Sequence, residues 1–459
     1  MKKLILLILL LFASNHLCFS QQCWKTVATS AYNVVAISAD GKLWGWGRNQ
    51  LGQLGDGTTA DKSIPTQIGT ATNWKECGAS LDDSFAIKTN GTLWSWGRNA
   101  DGNHGDGTII AKLVPTQIGT ATNWAEISAS PNHCLAIKSN GTLWAWGRNS
   151  NGQLGDGTTI NKIIPTQIGT ATNWIFISAG NITSLAIKSN GTLFGWGSSA
   201  YGLNGNSEIN NVYAPLQVGT ATNWKEANLF YLHAVAVKTD GTLWAWGQNL
   251  DGEIGDGTTI TRTVPTQIGT ATNWLTANSG FHYSLAIKTN GTLWAWGDNN
   301  LGKLGDGTLI NKLVPIQIGT ATNWKSIDLG YSHSVATKTI ANNLSTWGWN
   351  GYGQLANNSI EDSSSPLNIT CPTALNISDN DYKSDTITIY PNPANTVISI
   401  KSRINTLIES VQIIDLFGKV VLQKNNDFET INVQNLSTGL FFVQITTNSE
   451  NLVLKFIKN

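Results

Sequence analysis

The chain repeats one unit with a period of 50 residues, and this periodicity restricts its fold more than any other feature. The octapeptide Gln-Ile-Gly-Thr-Ala-Thr-Asn-Trp begins at positions 67, 117, 167, 267 and 317, and recurs at 217 with Val in place of Ile. A Trp-Gly pair also recurs, at Trp46, Trp96, Trp146, Trp196, Trp246, Trp296 and Trp347. Of the 20 tryptophans, all except Trp349 belong to a recurring series, which predicts packing residues of a core.

Each unit carries four short strand signals. In the third unit the predicted strands are 124–129, 134–138, 142–146 and 166–168. The Asn140-Gly141 pair predicts a type I′ hairpin, and Pro165 is expected to open the last strand, where a missing N–H is tolerated. Four antiparallel strands in about 50 residues are typical of a propeller blade.

Seven such units predict an all-β fold, a closed seven-bladed β-propeller over residues 21–371. The units start near residues 24, 74, 124, 174, 224, 274 and 324. An open solenoid or a barrel is the alternative. A solenoid needs polar end units, whereas the first and last units here resemble the interior ones.

The N-terminus has the pattern of an export signal over residues 1–20. Lys2 and Lys3 precede an apolar run from 4 to 13, and the small residue Ser20 stands before the expected cleavage at Gln21. The run is too short to cross a bilayer, so we expect a mature chain without a transmembrane segment. The alternative is a buried N-terminal strand or helix.

Charge and motif searches disfavour several classes of function. Lys plus Arg and Asp plus Glu number 29 each, which argues against nucleic acid as a partner. No nucleophile elbow, zinc motif or phosphate loop is present. His133, His233 and His333 share one phase of the repeat and are expected to be framework residues, and the recurring Gly-Asp-Gly-Thr is expected to be a turn rather than a calcium site. We expect no metal, no cofactor and no catalysis.

The segments that differ between units indicate where a partner binds. The loop between the first two strands is aromatic in units 5, 6, 7 and 1, which are contiguous in a closed ring. The candidate binding residues are Tyr32, Phe230, Tyr231, His233, Phe281, His282, Tyr283 and Tyr331. Asp82 and Asp83 are expected across the ring, and Arg48, Arg98 and Arg148 occupy a second variable position. The alternatives are that these rings only pack into the channel mouth and that the arginines are solvated loop charges.

Two cysteines are placed to close the ring. Aligned to the linker between units, Cys371 and Cys23 fall three positions apart in the one linker that a closed ring lacks. A turn there brings their Cα atoms within disulfide range, and an exported protein permits the bond. We therefore predict a Cys23–Cys371 disulfide, with Cys77 and Cys134 as buried, unpaired core residues.

The repeat resembles that of the regulator of chromosome condensation family. Residues 330–336 carry its Gly-x-x-His and Ala pattern, and Asn149 with residues 152–155 carries its Asn and Gly-Gln-Leu-Gly pattern. The resemblance implies a seven-bladed propeller. It also implies guanine-nucleotide exchange, as in the best-known members, which fits a neutral, exported chain poorly.

A different segment follows the repeats, with 372–384 as a linker and 385–459 as a small β-sandwich. It resembles the C-terminal sorting domain of the type IX secretion system of Bacteroidota. The matching positions include Pro391, Asn392, Pro393, Gly418, Gly439, Lys455 and Lys458. The resemblance implies the type IX machinery as a partner and a secreted or outer-membrane surface location. The alternative is a carbohydrate-binding or adhesive sandwich.

Together these features predict a secreted or cell-surface, non-catalytic protein that binds a macromolecule, an extracellular protein in the first instance, through one propeller face. A glycan-binding module is the second hypothesis, since the same aromatic residues stack on sugars. An enzyme or an exchange factor is the third, and acidic groups clustered in the channel with shifted pKa values would favour an enzyme.

Overall fold

The computed structural model describes residues 23–207, 210–339, 344–369, 387–402, 408–415, 420–447 and 451–459. The predicted export signal, residues 1–20, lies outside the described residues. The chain divides after Pro372 into two compact units. Within the described ranges, no helix has both the length and the apolar character needed to span a membrane.

The first unit consists of seven four-stranded antiparallel sheets, which we call blades 1 to 7. Blades 1 to 4 contain β1–β16: Trp24–Thr29, Asn33–Ser38, Leu43–Gly47, Lys62–Ile68; Trp74–Ala79, Asp83–Lys88, Leu93–Gly97, Lys112–Gln117; Trp124–Ala129, His133–Lys138, Leu143–Gly147, Lys162–Gln167; Trp174–Ala179, Thr183–Lys188, Leu193–Gly197, Val212–Gln217. Blades 5 to 7 contain β17–β28: Trp224–Leu229, His233–Lys238, Leu243–Gly247, Arg262–Gln267; Trp274–Ser279, Tyr283–Lys288, Leu293–Gly297, Lys312–Ile318; Trp324–Leu329, His333–Lys338, Leu344–Gly348, Ser363–Ile369. Two short 3-10 turns, Ala200–Gly202 and Asn300–Gly302, lie in loops of blades 4 and 6.

Within each blade the strands pair in chain order, and the first strands of all seven blades surround a central channel. In blade 3, Leu135 pairs with Ser128 on the inner side and with Ala145 on the outer side. The seven-bladed propeller predicted from the repeat is therefore confirmed.

The fourth, outer strand differs from its prediction. Pro165 lies inside Lys162–Gln167 rather than at its start. The ladder to the third strand is irregular between Ala145 and Gly147, next to this proline. An outer strand has a free edge, so its proline loses no required hydrogen bond. Each outer strand contains a proline at this point: Pro65, Pro115, Pro165, Pro215, Pro265, Pro315 and Pro366.

The predicted type I′ hairpin at Asn140-Gly141 is wrong. Only Gly141 has a positive φ, at 74°. The Gly141 N–H donates to the Lys138 carbonyl and the Lys138 N–H to the Thr142 carbonyl, which is a type I turn followed by a glycine bulge. Asn140 favours this turn because its Oδ1 accepts from Thr142 Oγ1 at 2.7 Å, an acceptor role that needs no left-handed backbone.

The cores lie between neighbouring blades and depend on the recurring tryptophans. Trp146 is fully buried, and its Nε1 donates to the Asn103 carbonyl of blade 2 at 2.7 Å. The same bond joins every blade to the one before it, and Trp46 of blade 1 donates to the Gln354 carbonyl of blade 7 at 3.0 Å. The prediction that these tryptophans are packing residues is confirmed.

Side-chain contacts close the ring. The Thr29 N–H of blade 1 donates to Asp328 Oδ2 of blade 7 at 2.7 Å, and Thr29 Oγ1 lies 2.6 Å from His333 Nε2. A shared apolar cluster joins Trp24 and Trp46 to Val335 and Ile369. Among the described residues, every blade takes its four strands from one continuous segment, so no strand is exchanged between the two ends.

The second unit is a small two-sheet sandwich, as predicted. Its strands β29–β35 are Ile387–Tyr390, Val397–Ser402, Ile408–Ile414, Val420–Lys424, Ile431–Asn432, Gly439–Thr447 and Asn451–Lys458. One sheet has the order β29-β30-β33 and the other β32-β31-β34-β35. Ile398 and Ile400 of the first sheet pack with Val411, Val443 and Phe456 of the second in one core.

The predicted sorting residues at the two ends of this unit contact each other. Asn392, between Pro391 and Pro393, donates from Nδ2 to the Lys455 carbonyl at 3.0 Å, and its Oδ1 accepts from the Ile457 N–H at 2.9 Å. Lys458 in the same terminal strand is buried, and Gly439 begins the strand that pairs with it. Gly418 lies outside the described residues.

Candidate functional site

The loops between the first and second strands of all blades reach one face of the propeller, which we call the aromatic face. We call the set of equivalent positions in the seven repeat units a column. Three adjacent columns set the side-chain directions on this face. In the column that starts the second strand, every residue is buried: Asn33, Asp83, His133, Thr183, His233, Tyr283 and His333. In the two preceding columns every residue is half-buried except Ala31 and Asp82, which are buried, so these columns supply the surface.

Aromatic side chains from blades 5, 6, 7 and 1 form one connected cluster on this face. Phe281 stacks on Tyr331 with ring centroids 3.7 Å apart, and Tyr231 meets Phe281 edge-on at 4.8 Å. Tyr32 continues the cluster at 6.0 Å from Tyr331, and His282 packs on Phe281 at 4.2 Å. The prediction that these loops are neighbours in a closed ring is therefore confirmed.

The cluster extends into the loops between the third and fourth strands. Trp349 and Tyr352 of blade 7 lie 5.4 and 5.6 Å from Tyr32. The Arg48 guanidinium sits 5.6 Å from the Tyr32 centroid and 5.5 Å from that of Tyr352. Its polar bonds, to Asp82 and Gln50, are long, at 3.3 to 3.4 Å. We call Tyr231, Phe281, His282, Tyr331, Tyr32, Trp349, Tyr352 and Arg48 the aromatic arc.

A cavity of about 380 Å³ lies inside the arc at the mouth of the central channel. Phe230, Tyr231 and Tyr331 form one wall with Tyr32 and Arg48. The opposite wall is formed by Leu81, Pro131, Asn132 and Asn181. Asn132 Nδ2 donates to Asn181 Oδ1 at 2.6 Å, which fixes the two amides at the rim.

Two predicted binding residues lie in the core instead of on this surface. Tyr283 is fully buried; its hydroxyl donates to the His333 carbonyl at 2.7 Å, and burial raises its pKa. Gly280 makes room for its ring, since a Cβ there would stand 2.2 Å from the ring. His233 is also buried, with Nε2 at 2.8 Å from Ser284 Oγ. Both belong to the buried column, so neither reaches a ligand at the face.

The acidic and basic residues expected around the ring are linked rather than separate. Asp82 is buried, and its carboxylate lies 3.3 Å from Arg48 and 3.6 Å from Arg98. Burial raises the Asp82 pKa against the opposing effect of these arginines. Asp83 is also buried, accepting from the Asn99 N–H at 2.8 Å. Arg98 and Arg148 are exposed, so blades 2 and 3 present positive charge.

A buried charged cluster supports the arc beneath Phe281. Where blades 1, 2, 3 and 7 place neutral amides, blades 5 and 6 place Glu253 and Lys303, which are 1% and 2% exposed. Lys303 Nζ bonds Asp298 Oδ2 at 2.6 Å and donates to the Phe281 carbonyl at 2.9 Å. His282 Nδ1 lies 2.7 Å from Asp251 Oδ2. These contacts fix the Phe281–His282 loop, in which His282 has a φ of 62°.

The central channel, about 290 Å³, carries carboxyl groups that the repeat pattern alone does not single out. Burial, with the neighbouring Glu76, raises the pKa of Glu126 to about 7. Burial also raises the pKa of Asp328 to about 6, although it accepts hydrogen bonds from Thr29, Leu329 and Asn278. Neither glutamate has a hydrogen bond through its side chain to the described residues, so both face the channel water.

The recurring histidines and aspartates are framework groups. His133 bonds Ser184 Oγ of the next blade at 2.7 Å, and burial lowers its pKa to about 3. Asp156 Oδ1 accepts from the Thr158 N–H at 3.0 Å, the turn predicted for Gly-Asp-Gly-Thr. In the described part of the chain, no three His, Cys, Asp or Glu side chains are grouped to hold a metal.

The cysteines are partly accounted for. Cys77 and Cys134 are buried and unpaired, as predicted. Cys23 is buried at the start of blade 1. Cys371 lies outside the described residues, so the Cys23–Cys371 disulfide stays a prediction.

Sequence reasoning missed two members of the arc. Trp349 stands at the same variable position as Arg48 but is not among the predicted binding residues, and Tyr352 is not singled out. Both lie in the last loop between third and fourth strands, and the signal was available there. The equivalents of Tyr352 are Leu51, Asp101, Asn151, Tyr201, Asp251 and Leu301, which vary as much as the loops that we selected.

Two family models match the chain. The regulator of chromosome condensation (RCC1) repeat matches residues 40–85, 90–137, 140–187, 240–287 and 290–337, more than half of the chain, and a second model of that repeat matches 24–53 and 124–153. The secretion system C-terminal sorting domain matches residues 388–459. This domain indicates secretion or cell-surface attachment and implies the type IX export machinery as a partner.

Solved structures show the same fold at low identity. Human WBSCR16 is 21% identical, with a TM-score of 0.62, covering 69% of this chain and 86% of that one. Prp20p from Saccharomyces cerevisiae, described with its binding to Gsp1p and histones, is 20% identical with a TM-score of 0.61, covering 68% and 82%. Yeast RCC1 (Prp20) bound to Kap60 is 17% identical with a TM-score of 0.64, covering 84% and 92%. No curated protein matches the sequence. The chain belongs to the RCC1-repeat family of β-propellers and ends in a secretion-system sorting domain.

Proposed function

We propose that this protein is an exported, non-catalytic binding protein that holds a protein partner on the aromatic arc. The observation that carries the proposal is the composition and continuity of the arc. Tyr, Trp and Arg are the residue types that dominate binding energy at protein interfaces, and here they meet in one cluster around a cavity. The cavity would receive one side chain or a tight loop of the partner.

The packing of the rings supports a protein rather than a sugar. Phe281 and Tyr331 cover each other's faces, and Arg48 lies over Tyr32, so the arc presents ring edges, hydroxyls and a guanidinium. A sugar ring needs a free aromatic face. The supporting contacts of Lys303 and His282 hold this surface in place before binding, which lowers the entropic cost of association.

The test uses the mature chain, residues 21–459, as bait on supernatants and surface extracts of the source organism. The variant changes Arg48, Tyr331 and Tyr352 to Ala; the matched control is Tyr213→Ala, an aromatic side chain 44% exposed on an outer strand. Hot-spot losses of about 2 kcal/mol each predict at least a thirtyfold weaker interaction per residue. A protein retained by the wild type and the control but lost by the variant supports the proposal. Equal retention by all three baits refutes it.

Glycan binding is the second candidate, and the Asn132–Asn181 pair opposite Tyr231 favours it. Amide groups facing an aromatic wall are suited to sugar hydroxyls. Enrichment of polysaccharide alone in the same experiment, lost on Asn132→Ala, would make this candidate the better one.

The channel carboxyl groups are the observation that favours an enzyme. A glycosidase needs two carboxyl groups flanking a bound sugar. The channel volume of about 290 Å³ is at the lower limit of ligand pockets, roughly 300 to 1,000 Å³, and Phe176 takes part of its wall. We therefore propose that Glu76 and Glu126 do no chemistry. Polysaccharide hydrolysis by the wild type that Glu126→Gln abolishes would contradict this.

A further inference from the structure

Six of the seven loops between third and fourth strands are closed by one asparagine, which we call the loop-closing asparagine. In blade 3, Asn149 Oδ1 accepts from the Leu154 N–H at 2.9 Å. Its Nδ2 donates to Asp156 Oδ1 and to the Thr158 and Ile160 carbonyls at 3.0 to 3.2 Å. The equivalents are Asn49, Asn99, Asn249, Asn299 and Asn350.

Blade 4 lacks this device. Ser199 stands at the position and has no amide to span the loop; its N–H donates to Asn211 at 3.4 Å. Asn206 replaces the aspartate, and Val212 replaces the lysine or arginine that pairs with it in blades 1, 2, 3, 5 and 6, as Lys162 does with Asp156 at 3.3 Å. With the described residues, the Asn206 side-chain amide makes only long bonds, of 3.4 and 3.5 Å. The described part of this loop therefore lacks the short side-chain bonds that close its six equivalents.

A cavity of about 570 Å³ lies where this loop faces blade 5. Its walls are apolar on the side of the strands, with Leu216, Val218, Val264 and Pro265. Asn206, Ser207, Gln217 and Thr220 border it on the loop and linker side. This volume falls within the range of small-ligand sites, about 300 to 1,000 Å³.

A lysine side chain lines the same cavity. Lys238 is 9% exposed and lies between two indoles, with Nζ 4.5 Å from the Trp224 centroid and 3.8 Å from that of Trp244. Its Nζ has no hydrogen bond or ion pair with any described residue. The nearby carboxylate is that of Asp240, which is exposed and accepts from Thr242 and Asn223. Lys238 thus places a cation that has no acceptor among the described residues beside an apolar cavity.

We propose that the cavity between blades 4 and 5 binds an amphipathic organic anion, an aliphatic or aromatic group bearing one carboxylate or sulfonate. The apolar body lies against Leu216, Val218 and Val264. The acidic group reaches the Lys238 ammonium, which a charge-assisted bond would satisfy. This site is separate from the aromatic face, and the proposal does not depend on the function proposed for the arc.

The experiment titrates 1-anilinonaphthalene-8-sulfonate, an amphipathic anion, into the mature chain and follows its fluorescence, with octanoate as competitor. Lys238→Met is compared with Lys288→Met, the equivalent lysine of blade 6, which lies between Trp274 and Trp294 in the same way. We expect saturable dye binding that octanoate displaces. Lys238→Met should weaken it about tenfold or more, since the charged partner is lost, whereas Lys288→Met should leave it unchanged.

A second pair of variants keeps the test valid if a lysine variant misfolds. Leu216 is 42% exposed, so Leu216→Glu tolerates a charge and places it in the cavity wall. Thr166→Glu is the matched change in blade 3. Loss of dye and octanoate binding in Leu216→Glu alone supports the site. Equal affinity in Lys238→Met and Lys288→Met, or dye binding that octanoate does not displace, overturns the proposal.

Discussion

The loop-closing asparagine gives a prediction whose size follows from the structure. Asn149 is fully buried and satisfies the buried Leu154 N–H together with two backbone carbonyls. Asn149→Ala leaves that N–H without an acceptor, which costs about 1 to 3 kcal/mol. The carbonyls of Thr158 and Ile160 lie near the surface and regain water, so each lost bond adds about 0.5 to 1 kcal/mol. We expect a total loss of about 2 to 5 kcal/mol.

The assay is denaturant unfolding of the mature chain followed by tryptophan fluorescence. All 20 tryptophans lie at or before Trp349, so the signal reports the propeller and not the sorting domain. Ser150→Ala, at the exposed neighbouring position, is the control and should change the free energy of unfolding by less than about 0.5 kcal/mol.

Asn149→Asp distinguishes the acceptor function of the Asn149 side chain from its donor function. It keeps the acceptor for the Leu154 N–H but removes the donor and brings a second carboxylate to Asp156. It should destabilise the chain by the loss of the donated bonds and by repulsion between the two carboxylates, while the Leu154 N–H keeps its acceptor. A loss below about 0.5 kcal/mol for Asn149→Ala would show that the network does not close the loop, and would remove the contrast with blade 4.

Three further predictions concern the ring and its termini. Asp328→Asn keeps an acceptor for the Thr29 N–H. Because burial raises the pKa of Asp328 to about 6, the free energy of unfolding of the wild type should fall by up to about 3 kcal/mol relative to the variant as pH rises from 4 to 7. A difference between the two that does not change with pH would contradict this. Tyr283→Phe removes the 2.7 Å bond to the His333 carbonyl, which keeps the Gly330 N–H as a donor, and should cost about 0.5 to 1.5 kcal/mol in the same unfolding assay. An unchanged midpoint would count against the bond. Alkylation of the denatured, unreduced mature chain should label Cys77 and Cys134 only; labelling of Cys23 and Cys371 as well would exclude the predicted disulfide.

Most of the fold can be predicted from the sequence because the same strand pattern recurs in all seven units. The spacing of Trp124, Trp144 and Trp146 placed three strands of blade 3 within one residue of their observed positions. The predicted outer strand of blade 3, 166–168, starts four residues after the observed start at Lys162, because the prediction takes Pro165 as the strand boundary. At a free sheet edge a proline costs no hydrogen bond, so it ends nothing there.

The candidate site was predicted less well, for a geometric reason. Tyr231 and Tyr283 both belong to the aromatic loops, but they fall in different columns of the repeat. One position along the chain turns a side chain from the surface into the core between blades, as Tyr283 shows. The buried column contains His133 and His333, and comparing columns instead of loops would have excluded Tyr283 and His233.

Contacts that depend on closure of the ring could not be predicted from the sequence. Tyr32 and Trp349 are separated by most of the propeller, yet they lie 5.4 Å apart because blades 7 and 1 are neighbours. The stacking of Phe281 on Tyr331 also follows from the distance between adjacent blades, which no single-unit pattern contains. The cavity beside Lys238 arises from a loop and a neighbouring blade, and only the fold brings these together.

Among the described residues, blades 1 and 7 exchange no strand, and this has an evolutionary consequence. Each described blade is a continuous segment, so a gene duplication or deletion of one 50-residue unit adds or removes a complete sheet and leaves every other sheet intact. Any linker between blades is then equivalent to the present gap, and new termini placed there would break no sheet. Substitutions can therefore change the loops of one blade, as in blade 4, without changing the sheets of the other blades.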